Sequence, residues 1–125
     1  MTGDAMDLQD KVILITGATG GIGAATARHL AAKGAWLLLL DRDQPALDAL
    51  AADIDGAVAC KAGDIREPEV TQAAVAQGMA LFGRIDGAFL NAGIEGRVAP
   101  FGDQTLDDFE QVMAVNVRSV FIGLS

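Results

Sequence analysis

Apolar runs and helix-spaced patterns alternate four times along the chain. Lys11–Thr16, Ala35–Leu40, Ala57–Ala62 and Ile85–Leu90 are near-continuous apolar runs of strand length. Strands buried on both faces read this way, whereas a strand with one wet face alternates apolar and polar residues. Between the runs the spacing becomes helical. Gly21–Lys33 sets Ile22, Ala25, Thr26, His29 and Leu30 on one face, with Gly34 behind it as a stop. Pro45–Ile54 has proline in its first turn and Leu47, Leu50 and Ile54 in register. Pro68–Phe82 repeats the arrangement with Val70, Ala74, Gln77 and Leu81, closed by Gly83. Thr105 opens a last, long pattern, "TLDDFEQVMAVNVRSVFIGL", in which Thr105 and Asp108 resemble a capping box with Asp in place of Glu.

Strand and helix in strict alternation predict an α/β fold, a doubly wound parallel sheet with right-handed crossovers. Residues 1–10 read as a lead-in, and residues 11–125 carry no internal linker, repeat or low-complexity stretch. Gly93–Gly102 is the one longer loop. It follows the fourth run, at the carboxyl edge where such sheets bind ligands.

Composition adds exclusions more than assignments. The 125 residues can bury about two-thirds of their unfolded surface in a single domain. A formal charge of −8 argues against nucleic acid, whose phosphates demand an excess of Lys and Arg. No apolar run approaches the ~20 residues of a membrane span, and the acidic start "MTGDAMDLQD" lacks a signal-peptide core. These features predict a soluble, cytoplasmic protein. Cys60, the single cysteine, lies in an apolar run and reads as a small core residue. His29, the single histidine, lies on the first helix at core-facing spacing, away from the strand ends where chemistry is expected.

The chemistry concentrates at "VILITGATGGIG", Val12–Gly23, where the first run turns into the first helix through T-G-x-x-x-G-x-G. Such a turn aims free backbone N–H groups and the positive end of a helix dipole at one point, a seat for phosphate. A Cβ at Gly17, Gly21 or Gly23 would obstruct that approach or a positive φ. By itself the motif is equally a tight turn with no ligand. Asp41 ends the second run 18 residues after Gly23, where a carboxylate can accept both ribose hydroxyls of an adenosine. A solvated strand end or an N-cap would use Asp there too. Asp64 ends the third run in the same manner, so successive strand ends place polar groups along one sheet edge.

Taken together, "TGATGGIG" from Thr16, Asp41, Asp64–Ile65, "NAG" at Asn91–Gly93 and Asn116 in "VNV" resemble the short-chain dehydrogenase/reductase family. The resemblance runs from the first strand almost to the last residue. It implies a Rossmann-like sheet, of whose order 3-2-1-4-5-6-7 only 3-2-1-4 is present. It also implies a pyrophosphate seat at Gly17, Gly21 and Gly23, with backbone contacts from Gly20 and Ile22. Asp41 would select NAD, since a carboxylate repels the 2′-phosphate of NADP. The uncharged Gly20, where NADP-binding members often carry a base, agrees, whereas Arg42 could hold that phosphate. Asp64 and Ile65 would flank adenine, with Asp64 bonding its amino group. Asn91, Ala92 and Gly93 would stabilise the central sheet and line the nicotinamide side, although Leu90 replaces the first Asn of the commoner N-N-A-G. Asn116 would bend its helix and hold a water of the catalytic proton relay; a buried Asn bonding its own helix backbone is the alternative.

The family's serine and Y-x-x-x-K follow that helix, yet this sequence has no tyrosine and ends at Ser125, too early for the catalytic serine. The expectation is therefore the amino-terminal, cofactor-binding part of an oxidoreductase acting on a small alcohol or ketone, inactive alone. A non-catalytic dinucleotide-binding sensor or scaffold is the alternative. Homodimers or homotetramers are implied through the helix opening near Thr105, whose Phe109, Val112, Met113, Val120 and Phe121 fit core packing equally well.

Overall fold

A computed structural model describes residues 8–92 and 105–113. Its elements are β1 (Val12–Thr16), α1 (Gly21–Ala32), β2 (Trp36–Asp41), α2 (Gln44–Ala52), β3 (Val58–Ala62), α3 (Pro68–Phe82), β4 (Gly87–Leu90) and α4 (Leu106–Met113). All four expected strands form, each a residue or two shorter or shifted. They line up as β3-β2-β1-β4, parallel throughout, the order that the family resemblance implies.

The sheet is covered on both faces. Alternate residues of a strand point to opposite sides. Leu37 and Leu39 accordingly join Ile15, Ala27, Leu47 and Leu50 under α1 and α2. Leu38 and Leu40 join Leu14, Ala59 and Ala74 under α3. β2 is buried along its middle four residues, while β3 and β4, at the edges of the described sheet, are only partly covered. Cys60 is half-buried, its Sγ 3.9 Å from the Leu47 carbonyl, and burial raises its pKa, as suits an inert packing residue.

Side chains clamp β4 to β1 at both ends. At the start, Asp86 Oδ2 accepts from the Val12 amide at 2.8 Å, and the Arg84 guanidinium beside it holds this carboxyl below its usual range. At the finish, the hydroxyl of buried Thr16 accepts from the amides of Asn91 and Ala92 at 2.9 and 3.1 Å. The helix signals are local and legible. Asp43 caps α2 by accepting from Ala46 N at 3.1 Å, and Gly83 ends α3 at φ 79°.

Two helices present other faces than their spacing predicts. In α1, Ile22 is 69% exposed and His29 is exposed, while Gly23 and Ala27 are buried. The cause is the glycine turn: a Cβ on Gly23 would lie 2.2 Å from the Gly17 carbonyl oxygen, so the helix meets the sheet through its smallest residues. In α3, Leu81 is 61% exposed, and Thr71, Ala74 and Gly78 make the buried stripe. A Cβ on Gly78 would sit 2.8 Å from Leu38 Cδ2, so the close approach of β2 sets the rotation of that helix. Residues 1–7 and 93–104, Val120 and Phe121, and the side chains of Asp108, Phe109 and Val112 lie outside what is described.

These packing assignments predict different costs for two leucines. Leu38→Ala removes a side chain of 0% exposure and should lower the unfolding free energy by about 2–5 kcal/mol in urea titrations. Leu81→Ala should stay within about 0.5 kcal/mol of the parent. Comparable losses would mean that the helical spacing, not the described packing, locates the core.

Candidate dinucleotide site

The carboxyl ends of β1, β2, β3 and β4 open onto one cleft of about 560 Å³. It is lined by Gly17, Thr19, Gly20, Gly21, Ile22, Leu40, Asp41, Arg42, Gly63, Asp64, Ile65, Asn91 and Ala92. Every expected binding residue that is described lines it, except Gly23, which packs behind the turn. Gly93 and Asn116 lie outside the described residues.

The glycines of the turn divide the work between packing and access. Gly17 has φ +64°, and a Cβ there would meet the Ala92 Cα at 2.9 Å. Gly23 lets α1 close onto the turn, as described above. Gly21 is different: a Cβ would meet nothing within 4 Å. Its side-chain space opens into the cleft, so the chain's own packing does not demand a glycine there. Helix α1 also begins without a side-chain cap and without an acidic residue in its first turn. The positive helix end is thus left to an outside anion.

Asp41 enters the cleft from the end of β2 already bonded to its own chain. Its Oδ2 accepts from Thr19 N at 2.9 Å and Thr19 Oγ1 at 2.7 Å, and its Oδ1 accepts from Arg42 N at 2.7 Å. A carboxylate has about four acceptor positions, so an added hydroxyl can still be received. Asp64 is likewise held. Arg66 Nε donates to both its oxygens at 2.9 and 3.0 Å, and this guanidinium lowers the carboxyl to about 2. Asp64 is therefore an acceptor only, as a bond from an exocyclic amino group requires. Arg66 reaches on to the Gln111 side chain in α4. Asn91 Nδ2 donates to the Gly17 carbonyl at 3.4 Å, tying the β4 exit to the glycine turn.

Thr19 and Arg66 are the contributors that sequence spacing overlooks. Thr19 occupies a variable position of the glycine motif, and nothing in its spacing signals a partner 22 residues away. Arg66 stands two residues after Asp64, and that adjacency was the available hint. The residues present fit an anionic dinucleotide: an open, uncapped helix start for the pyrophosphate and acceptor carboxylates at the next two strand ends. Among the described residues no acidic, His or Cys cluster could hold a metal ion, and no helix is long and apolar enough to cross a membrane.

Comparison with known proteins gives concordant results. The sequence profile of the family described as short chain dehydrogenase matches residues 11–125. Levodione reductase of Leifsonia aquatica is 42% identical over 120 residues, covering 92% of this chain and 45% of that protein. A crystal structure of levodione reductase superposes with a TM-score of 0.90 over 94% of this chain and 47% of that one, at 41% identity. NAD+-bound xylitol dehydrogenase gives a TM-score of 0.90 at 36% identity, covering 95% of this chain and 47% of that one. A 3-ketoacyl-(acyl-carrier-protein) reductase from Brucella melitensis, complexed with NADH, gives 0.88 at 34% identity over 93% of this chain and 48% of that one. The chain spans about half the length of the relatives it matches.

The division among the glycines is testable. Gly21→Ala should leave stability within about 0.5 kcal/mol of the parent while weakening ADP-ribose binding about tenfold or more by calorimetry. Gly23→Ala should destabilise by about 1–3 kcal/mol. Undiminished binding in Gly21→Ala would show that the open space beside the helix start is not the anion seat.

Proposed function

The chain belongs to the short-chain dehydrogenase family, and from that premise we propose that it is the cofactor-binding part of an NAD-preferring oxidoreductase that interconverts an alcohol and a carbonyl on a small molecule. The observation that carries the reading is the cleft where the uncapped start of α1, with Gly21 open beside it, faces the Asp41 carboxylate. Gly20, Gly21 and Ile22 would hold the pyrophosphate through backbone N–H groups, and Asp41 the adenosine ribose. Asp64 and Ile65 would flank adenine, and Asn91, Ala92 and Gly93 the nicotinamide side. When bound, the nicotinamide supplies hydride exchange; the protein orients it and excludes water.

NAD is favoured over NADP because a 2′-phosphate would be placed against the Asp41 carboxylate. Like charges in contact cost several kcal/mol, more than one solvated cation returns. Arg42 lines the same cleft and is the feature that would favour NADP. The NAD+- and NADH-bound relatives support the first choice. Hydride exchange also requires a proton to move at the substrate oxygen. With no tyrosine in its sequence, this chain alone is expected to bind the cofactor without turnover. Asn116 would hold a water of the proton relay. A cytoplasmic homodimer or homotetramer is the expected setting.

Titrating the protein with NADH and NADPH and following nicotinamide fluorescence tests the reading. NADH should bind on the order of tenfold more tightly or better, and Asp41→Ala should narrow the gap. Equal affinities, with no effect of Asp41→Ala, would overturn the assignment of Asp41.

A further inference from the structure

The carboxylate that would meet the ribose is not free to choose its orientation. Asp41 Oδ2 receives two hydrogen bonds from one residue, Thr19, through its amide at 2.9 Å and its hydroxyl at 2.7 Å. Oδ1 receives the Arg42 amide at 2.7 Å. Thr19 lies inside the glycine turn, on the pyrophosphate side of the cleft, while Asp41 lies at the end of the neighbouring strand. The seat for the pyrophosphate is therefore joined to the seat for the adenosine ribose through a single oxygen atom.

We infer that Thr19 is a positioning residue for cofactor selection, fixing the Asp41 carboxylate so that it receives a ribose hydroxyl and repels a 2′-phosphate. This rests on the NAD-preferring reading above and adds the device that enforces it. Without the hydroxyl, Oδ2 keeps only an amide, and the side chain gains rotamers that turn its charge away from the ribose. The same change removes the repulsion that keeps a phosphate from Arg42, which lines the cleft next to Asp41. Loss of Thr19 Oγ1 should then weaken NADH and strengthen NADPH together. A merely structural residue would weaken both alike.

The test is the ratio of the NADPH and NADH dissociation constants in the full-length protein, with folding checked by thermal melting. Thr19→Val removes the hydroxyl and keeps the shape; Thr19→Ala serves if the valine variant does not fold. Either should lower the ratio on the order of tenfold, as expected for a hydrogen bond to a charged group. Thr19→Ser should retain the parental ratio. In an Asp41→Ala background, Thr19→Val should change the ratio no further. An unchanged ratio in Thr19→Val and Thr19→Ala, with Asp41→Ala collapsing it, would overturn the role of Thr19 and leave that of Asp41 standing. A proportionate loss of both affinities would also overturn it. A parental ratio near one that Asp41→Ala leaves unmoved would remove the NAD-preferring reading itself, and this inference with it.

Discussion

Where β1, α1 and β4 converge there is no room for a side chain. A methyl group on Gly17 would press on the Ala92 Cα at 2.9 Å, and one on Gly23 would overlap the Gly17 carbonyl at 2.2 Å. This close approach lets α1 start immediately beside the sheet edge, with its N–H groups aimed into the cleft rather than over solvent. The Thr16 hydroxyl, accepting from two amides of the β4 exit, holds the third partner in place. The site depends on backbone proximity first and on side-chain chemistry second.

That ordering explains the electrostatics of the cleft. A helix start with no cap of its own is a positive end in need of an anion, and the strand ends opposite it carry carboxylates rather than cations. An anion alone would be repelled by Asp41 and Asp64. A dinucleotide resolves the conflict, because its phosphates and its hydroxyl-bearing sugar are separated along one molecule. The chain also restrains its own carboxylates before any ligand arrives, Asp41 through Thr19 and Asp64 through Arg66. Such preorganisation lowers the ordering cost of binding.

Much of this was legible in the amino-acid order. Unbroken apolar runs such as "AWLLLL" located β2, proline starts located α2 and α3, and Gly83 marked the end of α3, because these signals are local. The strand ends carrying Asp41, Asp64 and Asn91 could be read for the same reason. Helix rotation was less accessible. The periodicity of α1 favours Ile22 and His29, yet the glycine turn decides which side meets the sheet, and Ile22 faces the cleft instead. Leu81 was misplaced because Leu38, far away in sequence, pushes against Gly78. Thr19 was invisible as a partner of Asp41 because their bond exists only once β1 and β2 lie side by side.

The central claim is that the β1–α1 turn and the end of β2 form one dinucleotide seat. The most direct measurement is a titration of 15N-labelled protein with NAD+, read amide by amide. The account predicts saturable shifts at Thr19, Gly20, Gly21 and Ile22 and at Arg42, with the outward-facing Val75 and Met79 of α3 unmoved. Shifts absent from the turn, or saturating elsewhere on the chain, would contradict it.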